Sequence, residues 1–203
     1  MPVRLVVVRH GQTAWSRTGR HTGTTDLPLE EEGRVQAQAL GSRLAGHRFA
    51  EVLVSPLRRA RQTCALAGFG EAATVVDDLA EWDYGEYEGL TTDEIRSRRP
   101  GWTIWRDGVP GGETLADVAA RADRVVARVR ALGERPDGPG GTVDVLAFAH
   151  AHILRVLTAR WLGESSTFGA RLVLGPAAPS VLGAERETPA LLRWNDTGTG
   201  PVL

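Results

Sequence analysis

The sequence contains no lysine; all 24 basic residues are arginine. A Walker-type P-loop needs a lysine on its phosphates. Schiff-base chemistry and a lysine general base need a free amine. All three are excluded. The positive charge present is planar, forked and permanent, which suits phosphate and carboxylate recognition. A bias towards arginine, alanine and glycine also follows from genome composition alone. There is one cysteine, Cys64, so an internal disulfide and a cysteine-based zinc site are excluded. Set between Thr63 and Ala65-Leu66 in a helical stretch, it reads as a buried thiol. Charge of either sign is not in excess: 24 bases and 25 acids give a net charge of −1. Nothing in that balance points to nucleic acid or to an acidic tail. No apolar run approaches the ~20 residues of a membrane span. The N-terminal run Leu5–Val8 is too short for the core of a signal peptide. The expectation is a cytoplasmic protein with no membrane and no nucleic-acid partner.

The 203 residues, 42% hydrophobic and 24% charged, have ordinary globular composition and suffice for one domain across 1–203. Leu5–Val8 is continuous, apolar and β-branched, the pattern of a buried strand in a parallel sheet. Glu30–Ala45 reads as a helix with Val35, Ala39, Leu40 and Leu44 on its buried face. Glu51–Val54 is a second strand, closed by Ser55-Pro56. The serine is placed to cap, and the proline to open, a helix over Leu57–Ala67. Thr74–Val76 is a third strand. Thr92–Arg99 is a short helix, stopped by Pro100-Gly101. Glu113–Leu132 follows the 3–4 spacing throughout and is the clearest helix. The stretch 133–141, with Pro136 and Pro139, reads as a surface loop. Val143–Ala149 is a further buried strand, Ile153–Leu162 a helix, and Ser180–Leu182 with Ala190–Trp194 an antiparallel pair. Alternation of strands and helices predicts an α/β fold, a three-layer αβα sandwich on a mostly parallel sheet. The segment of about 82–112 is a cap-like insert over it.

Two strands run into histidine, at Arg9-His10-Gly11 and at His150-Ala151-His152. Their carboxyl edge is where such sheets bind ligands. Arg58, Arg59 and Arg61 follow the Ser55-Pro56 turn. Arginine forks and imidazoles at one edge suit phosphoryl transfer, where catalysis is positioning plus charge stabilisation. A neutral imidazole attacks phosphorus to form a phosphohistidine. Gly11 is expected to let the backbone approach the phosphate. A proton for the leaving oxygen has four candidate sources, Glu81, Asp83, Glu86 and Glu88. Glu81 beside apolar Trp82 is favoured as the acid. Each feature alone is weak, and an isolated Arg-His-Gly occurs by chance; their joint placement at strand ends carries the weight.

These segments resemble the histidine phosphatase superfamily, its phosphoglycerate-mutase-like branch, over nearly the whole chain. Arg9-His10-Gly11-Gln12-Thr13 matches the nucleophile signature. Thr22–Leu29, with Gly33 and Gln36-Ala37, matches the segment after it. Ser55–Thr63 matches the helix of the second arginine. That arginine precedes alanine, so it falls on Arg59 and leaves Arg58 and Arg61 to the surface. Leu79–Gly85 with Glu88-Gly89 matches the proton-donor loop, and Phe148–Arg155 matches the second-histidine segment. The resemblance implies that His10 takes the phosphoryl group, that Arg9, Arg59 and His150 clamp it, and that Glu81 protonates the leaving oxygen and then helps activate water. It implies no metal and no organic cofactor. Ser16, Thr22, Gly23, Tyr84 and Ala151 are the expected further phosphate or substrate contacts. Two positions depart from the pattern. Ala151 replaces a common glycine, and Ser16 replaces an asparagine.

The function expected is a metal-independent phosphomonoester hydrolase acting on a small phosphorylated metabolite. Members described as acid phosphatases or sugar bisphosphatases are the nearest in pattern. Arg20, His21 and Arg106 are candidates for a second phosphate, and Trp102 and Trp105 read as cap core. The alternatives are a phosphoglycerate mutase and a non-catalytic phosphate-binding module. The mutase is disfavoured by Asp83, an anion that would repel phosphorylated carboxylates if it faced the pocket. A metallohydrolase built on His150 and His152 lacks a nearby third ligand pattern. The oligomeric state is open, a homodimer being common in the family resembled.

Overall fold

The computed structural model describes residues 2–133 and 141–203; the loop expected over 133–141 falls almost wholly outside them. Six strands form one sheet: β1 (Val3–Arg9), β2 (Glu51–Val54), β3 (Ala73–Val75), β4 (Val143–Ala149), β5 (Pro179–Glu185) and β6 (Thr188–Arg193). Their order is β3-β2-β4-β1-β5-β6. The first four run parallel, and β5 and β6 add an antiparallel edge. The sheet is thus mixed. Successive side chains of the central strands enter opposite cores. Leu5, Val7, Val145 and Ala147 lie on one face, and Val6, Val8, Leu146 and Phe148 on the other. Burial on both faces is why these strands show unbroken apolar runs.

The helices are α1 (Ala14–Thr18), α2 (Glu31–Leu44), α3 (Arg58–Leu66), α4 (Thr92–Arg98), α5 (Ile104–Asp107), α6 (Leu115–Gly133) and α7 (Ala151–Trp161). Leu40 and Leu44 of α2 and Ala60 and Cys64 of α3 fill one core. Val118, Val125 and Val129 of α6 and Ile153, Leu154 and Leu157 of α7 fill the other. Trp82, Ile95, Trp102 and Ile104, from the segment expected as a cap, join that second cluster.

Two local expectations are corrected. On α2 the buried positions are Gly33, Ala37, Leu40 and Leu44, whereas Val35 is 50% exposed and Ala39 is exposed. Leu40 and Leu44 are buried as expected, and the helix's other contacts are made through Gly33 and Ala37, small residues that a hydrophobicity pattern passes over. Ser55 is not the cap of α3; Leu57 occupies that position without a side-chain cap bond. The serine hydroxyl accepts from Leu57 N at 3.3 Å, just ahead of the helix, and bonds His150 Nε2 at 2.7 Å. Cys64 is 1% exposed, and burial pushes its thiol up to about 12, so it is inert as a nucleophile.

Candidate active site

Strand register assembles the site. Arg9 pairs with Ala149 across β1 and β4, and Val54 with Phe148 across β2 and β4. The residues that follow, His10, His150 and Ser55, therefore meet at the carboxyl edge. His10 N donates to Ala149 O and Ser55 N to Phe148 O, both at 2.9 Å. The two histidine rings stand 5.2 Å apart.

His10 is 4% exposed. Its Nδ1 lies 2.7 Å from Gly11 O. A carbonyl oxygen only accepts, so Nδ1 carries the proton and Nε2 keeps its lone pair. Burial, then Arg9 and Arg59, push this imidazole well below its ordinary range. Gly11 answers to packing. A Cβ there would sit 2.3 Å from Gly33 O, so the glycine allows β1 to exit against the start of α2. Its N–H is already taken by Thr63 Oγ1 at 3.0 Å.

His150 and Arg59 form a layer behind His10, each 0% exposed. Arg59 Nε donates to His150 Nδ1 at 3.0 Å. The other ring nitrogen then carries the proton and donates to Ser55 Oγ at 2.7 Å. The Arg59 Nη groups bind the carbonyls of Thr25, Thr22 and Gly23. In this conformation neither side chain lines the cavity; the Arg59 charge acts on His10, and the neutral His150 ring stands 5.2 Å from the His10 ring. Burial, then Arg59 and His10, hold His150 well below the usual histidine range.

Glu81, 7% exposed, sits at the N-terminus of α7. Its carboxylate accepts from Trp82 N and Ile153 N at 3.0 Å and His152 N at 3.1 Å. Helix N-termini leave such N–H groups without intrahelical partners. The loop before it is held by Arg121, whose guanidinium reaches Asp78 O, Ala80 O and the Glu113 carboxylate. Arg121 flanks the buried stripe of α6, its side chain 14% exposed, and nothing in the local sequence marks it out. Of the four candidate acids, Glu81 alone lines the cavity. Asp83 caps Gly85 N, Glu86 is exposed, and Glu88 braces Gly23 N and Thr25 N. The repulsion expected of Asp83 is therefore absent, because the side chain does not face the pocket.

The cavity at this edge has a volume of about 450 Å³. Arg9, His10 and Glu81 line it together, with Ser16, Thr22, Tyr84 and Ala151. Ser16 completes a capping box with Thr13, accepting from Thr13 N and donating to Thr13 O. Gly23 lies off the lining; a Cβ there would sit 2.5 Å from Trp82 O. Ala151 begins α7 in ordinary helical geometry. Tyr84 OH is 2.7 Å from His152 Nδ1, and burial drives that phenol well above its ordinary value. Arg20 and His21 line the cavity as expected. Arg106 does not: its side chain is 68% exposed and paired with Asp107. Arg96 and Arg155 supply the outer positive charge instead. Arg155 lies 4.6 Å over the Trp105 ring, and that ring also lines the cavity. Arg155 follows Ala151 by four residues, hence one helical face, a signal the sequence did hold.

Among the described residues no three His, Cys, Asp or Glu side chains are placed to hold a metal. His150 bonds Ser55 and Arg59, whereas His152 bonds Tyr84, so the two rings do not converge as ligands.

A profile of the histidine phosphatase superfamily (branch 1) matches residues 5–197. The chain belongs to this family, and its class is that of the histidine phosphatases, phosphomonoester hydrolases. It is 40% identical over 185 residues to a Mycobacterium tuberculosis acid phosphatase, covering 90% of this chain and 87% of that one. It is 40% identical over 184 residues to the Saccharomyces cerevisiae sedoheptulose 1,7-bisphosphatase, covering 79% and 68%. A 2,3-bisphosphoglycerate-dependent phosphoglycerate mutase of Mesorhizobium japonicum is 34% identical, covering 87% and 90%. The solved structure of a functionally characterised Mycobacterium tuberculosis open reading frame superposes with a TM-score of 0.85 at 40% identity, covering 95% and 96%.

Proposed function

We propose that the chain hydrolyses phosphomonoesters of small metabolites through a phosphohistidine at His10, without a metal. The observation that carries this is that His10, with Nδ1 rather than Nε2 holding the proton, and Arg9 line one cavity. Arg9 Nε–H is buried and has no hydrogen-bond partner among the described residues. An unpaired buried donor is costly, and a phosphoryl oxygen would satisfy it. His10 Nε2 attacks phosphorus, the bond from phosphorus to the ester oxygen breaks, and Glu81 gives its proton to that oxygen. Water then attacks phosphorus, its proton passes to Glu81, and the bond to His10 Nε2 breaks. Arg9 faces the phosphoryl oxygens; Arg59 and His150 support the nucleophile from behind.

The rest of the cavity supports a substrate with a second anionic group, a sugar bisphosphate being the refinement. Arg9, Arg96 and Arg155 bond backbone carbonyls rather than carboxylates among the described residues, and Glu81 is the one carboxylate on the lining. The similarity to a sedoheptulose bisphosphatase agrees with this. The mutase relative favours a second reading, in which the phosphohistidine passes its group to another phosphoglycerate. Both are tested by incubating the chelator-treated protein with aryl, sugar mono- and bisphosphates, nucleotides and 3-phosphoglycerate. Phosphate release, fastest from bisphosphates, is expected. Transfer between phosphoglycerates without release would establish the mutase. A cytoplasmic homodimer completes the proposal, and light scattering on the purified chain tests the oligomer.

A further inference from the structure

Residues 172–178, between the 3₁₀ turn Ser166–Arg171 and β5, have no helix or strand structure, yet they reach the site. Arg9 Nη1 donates to Leu174 O at 2.7 Å. That is the one hydrogen bond of the Arg9 guanidinium among the described residues. Its direction therefore depends on where the Leu174 carbonyl stands.

The residues on either side of Leu174 are held by the two that follow β6. Trp194 Nε1 donates to Val173 O at 2.6 Å, and Gly175 N donates to Asn195 Oδ1 at 2.7 Å. Asn195 is fixed in turn. Its backbone N–H bonds the buried Ser180 hydroxyl at 2.9 Å. Its φ is +50°, a left-handed conformation that asparagine tolerates better than most residues. The next residue, Asp196, is bound by Arg43 and Arg193. A restraint that grips Val173 and Gly175 leaves Leu174 little room to rotate.

We propose that Asn195, with Trp194, is a positioning residue for the reaction: it acts through the Leu174 carbonyl to aim Arg9 at the phosphoryl group. This rests on the reading that Arg9 binds that group. Neither residue itself lines the cavity, although Trp194 bonds Val173, which does.

Asn195→Gly tests this, since glycine keeps the left-handed backbone and removes only the acceptor. Asn195→Asp restores an acceptor oxygen. Trp194→Phe removes the indole N–H and approaches the same loop from the other side. Inhibition by orthovanadate, and kcat and KM for an aryl phosphate, are measured for each in wild-type and Arg9→Gln backgrounds. Asn195→Gly should weaken vanadate inhibition and lower kcat/KM about tenfold, within the roughly hundredfold that a misplacement of about 1 Å can cost. Asn195→Asp should recover most of the loss. In the Arg9→Gln background the Asn195→Gly effect should shrink below about twofold, as coupled sites require. An equal loss in both backgrounds, or unchanged vanadate inhibition in both Asn195→Gly and Trp194→Phe, would overturn the inference while leaving the proposed function intact. Unchanged vanadate inhibition in Arg9→Gln itself would overturn both.

Discussion

At the scale of single residues, burial and partners assign the chemistry. His10 is neutral because it is buried beside Arg9 and Arg59, and its free nitrogen follows from the bond at the other one. Glu81 is fixed by three backbone donors, within the cavity that His10 lines. Glu81→Gln should therefore slow esters with poor leaving groups by about 10²–10⁴, the usual worth of general acid catalysis, and activated aryl phosphates far less. Rates across a leaving-group series check this; an equal loss throughout would remove Glu81 as the acid. Residues at strand ends were legible, because apolar runs ending in Arg-His-Gly and His-Ala-His place side chains at one edge. Those acting through tertiary contacts were not. Asp83 turns to Gly85, Ser55 to His150, and Arg106 to Asp107, and no local pattern distinguishes these outcomes from the ones expected.

At the scale of elements, the packing of β1 against α2 decides where His10 stands. The ideal Cβ of Gly33 would lie 2.2 Å from Gln12 O, and that of Gly11 2.3 Å from Gly33 O. Both obstacles are backbone, which cannot swing aside as a side chain does. Gly33→Ala should cost about 1–3 kcal/mol, the range for overpacking, and should reduce turnover by displacing the chain that follows His10. Urea unfolding checks the stability loss, and native stability would show that the two segments separate freely. The central strands were legible from their unbroken apolar runs and α6 from its 3–4 spacing, since each buries large apolar side chains. The face of α2 was legible only at Leu40 and Leu44, because its other buried positions are Gly33 and Ala37. The antiparallel β5–β6 edge was foreseen as a pair, but its bearing on Arg9 depends on a loop without periodicity.

At the scale of the whole molecule, a chain of net charge −1 gathers four arginines around one carboxylate in its cavity. It also holds His10 and His150 neutral by burial, their pKa values well below 6.5. In the unfolded chain both histidines titrate near about 6.5. Below that pH the unfolded state binds protons that the folded state does not, so their contribution is complete above about 6.5 and is lost as pH falls. The melting temperature should accordingly drop between about pH 7 and 5, above the range where carboxylates titrate. His150→Gln should reduce that slope, and His10, His152 and His21, also lowered by burial, should keep the remainder. A wild-type melting temperature constant across this window would contradict the neutral, buried pair.

The central claim is that His10 carries the phosphoryl group. Chelator-treated protein is mixed with an aryl phosphate, quenched within milliseconds into alkaline denaturant, and digested for peptide mass analysis. One phosphoryl group on His10, absent from His10→Ala, is predicted. Phosphate release with no phosphoryl group on His10, or with one on another residue, would contradict the account.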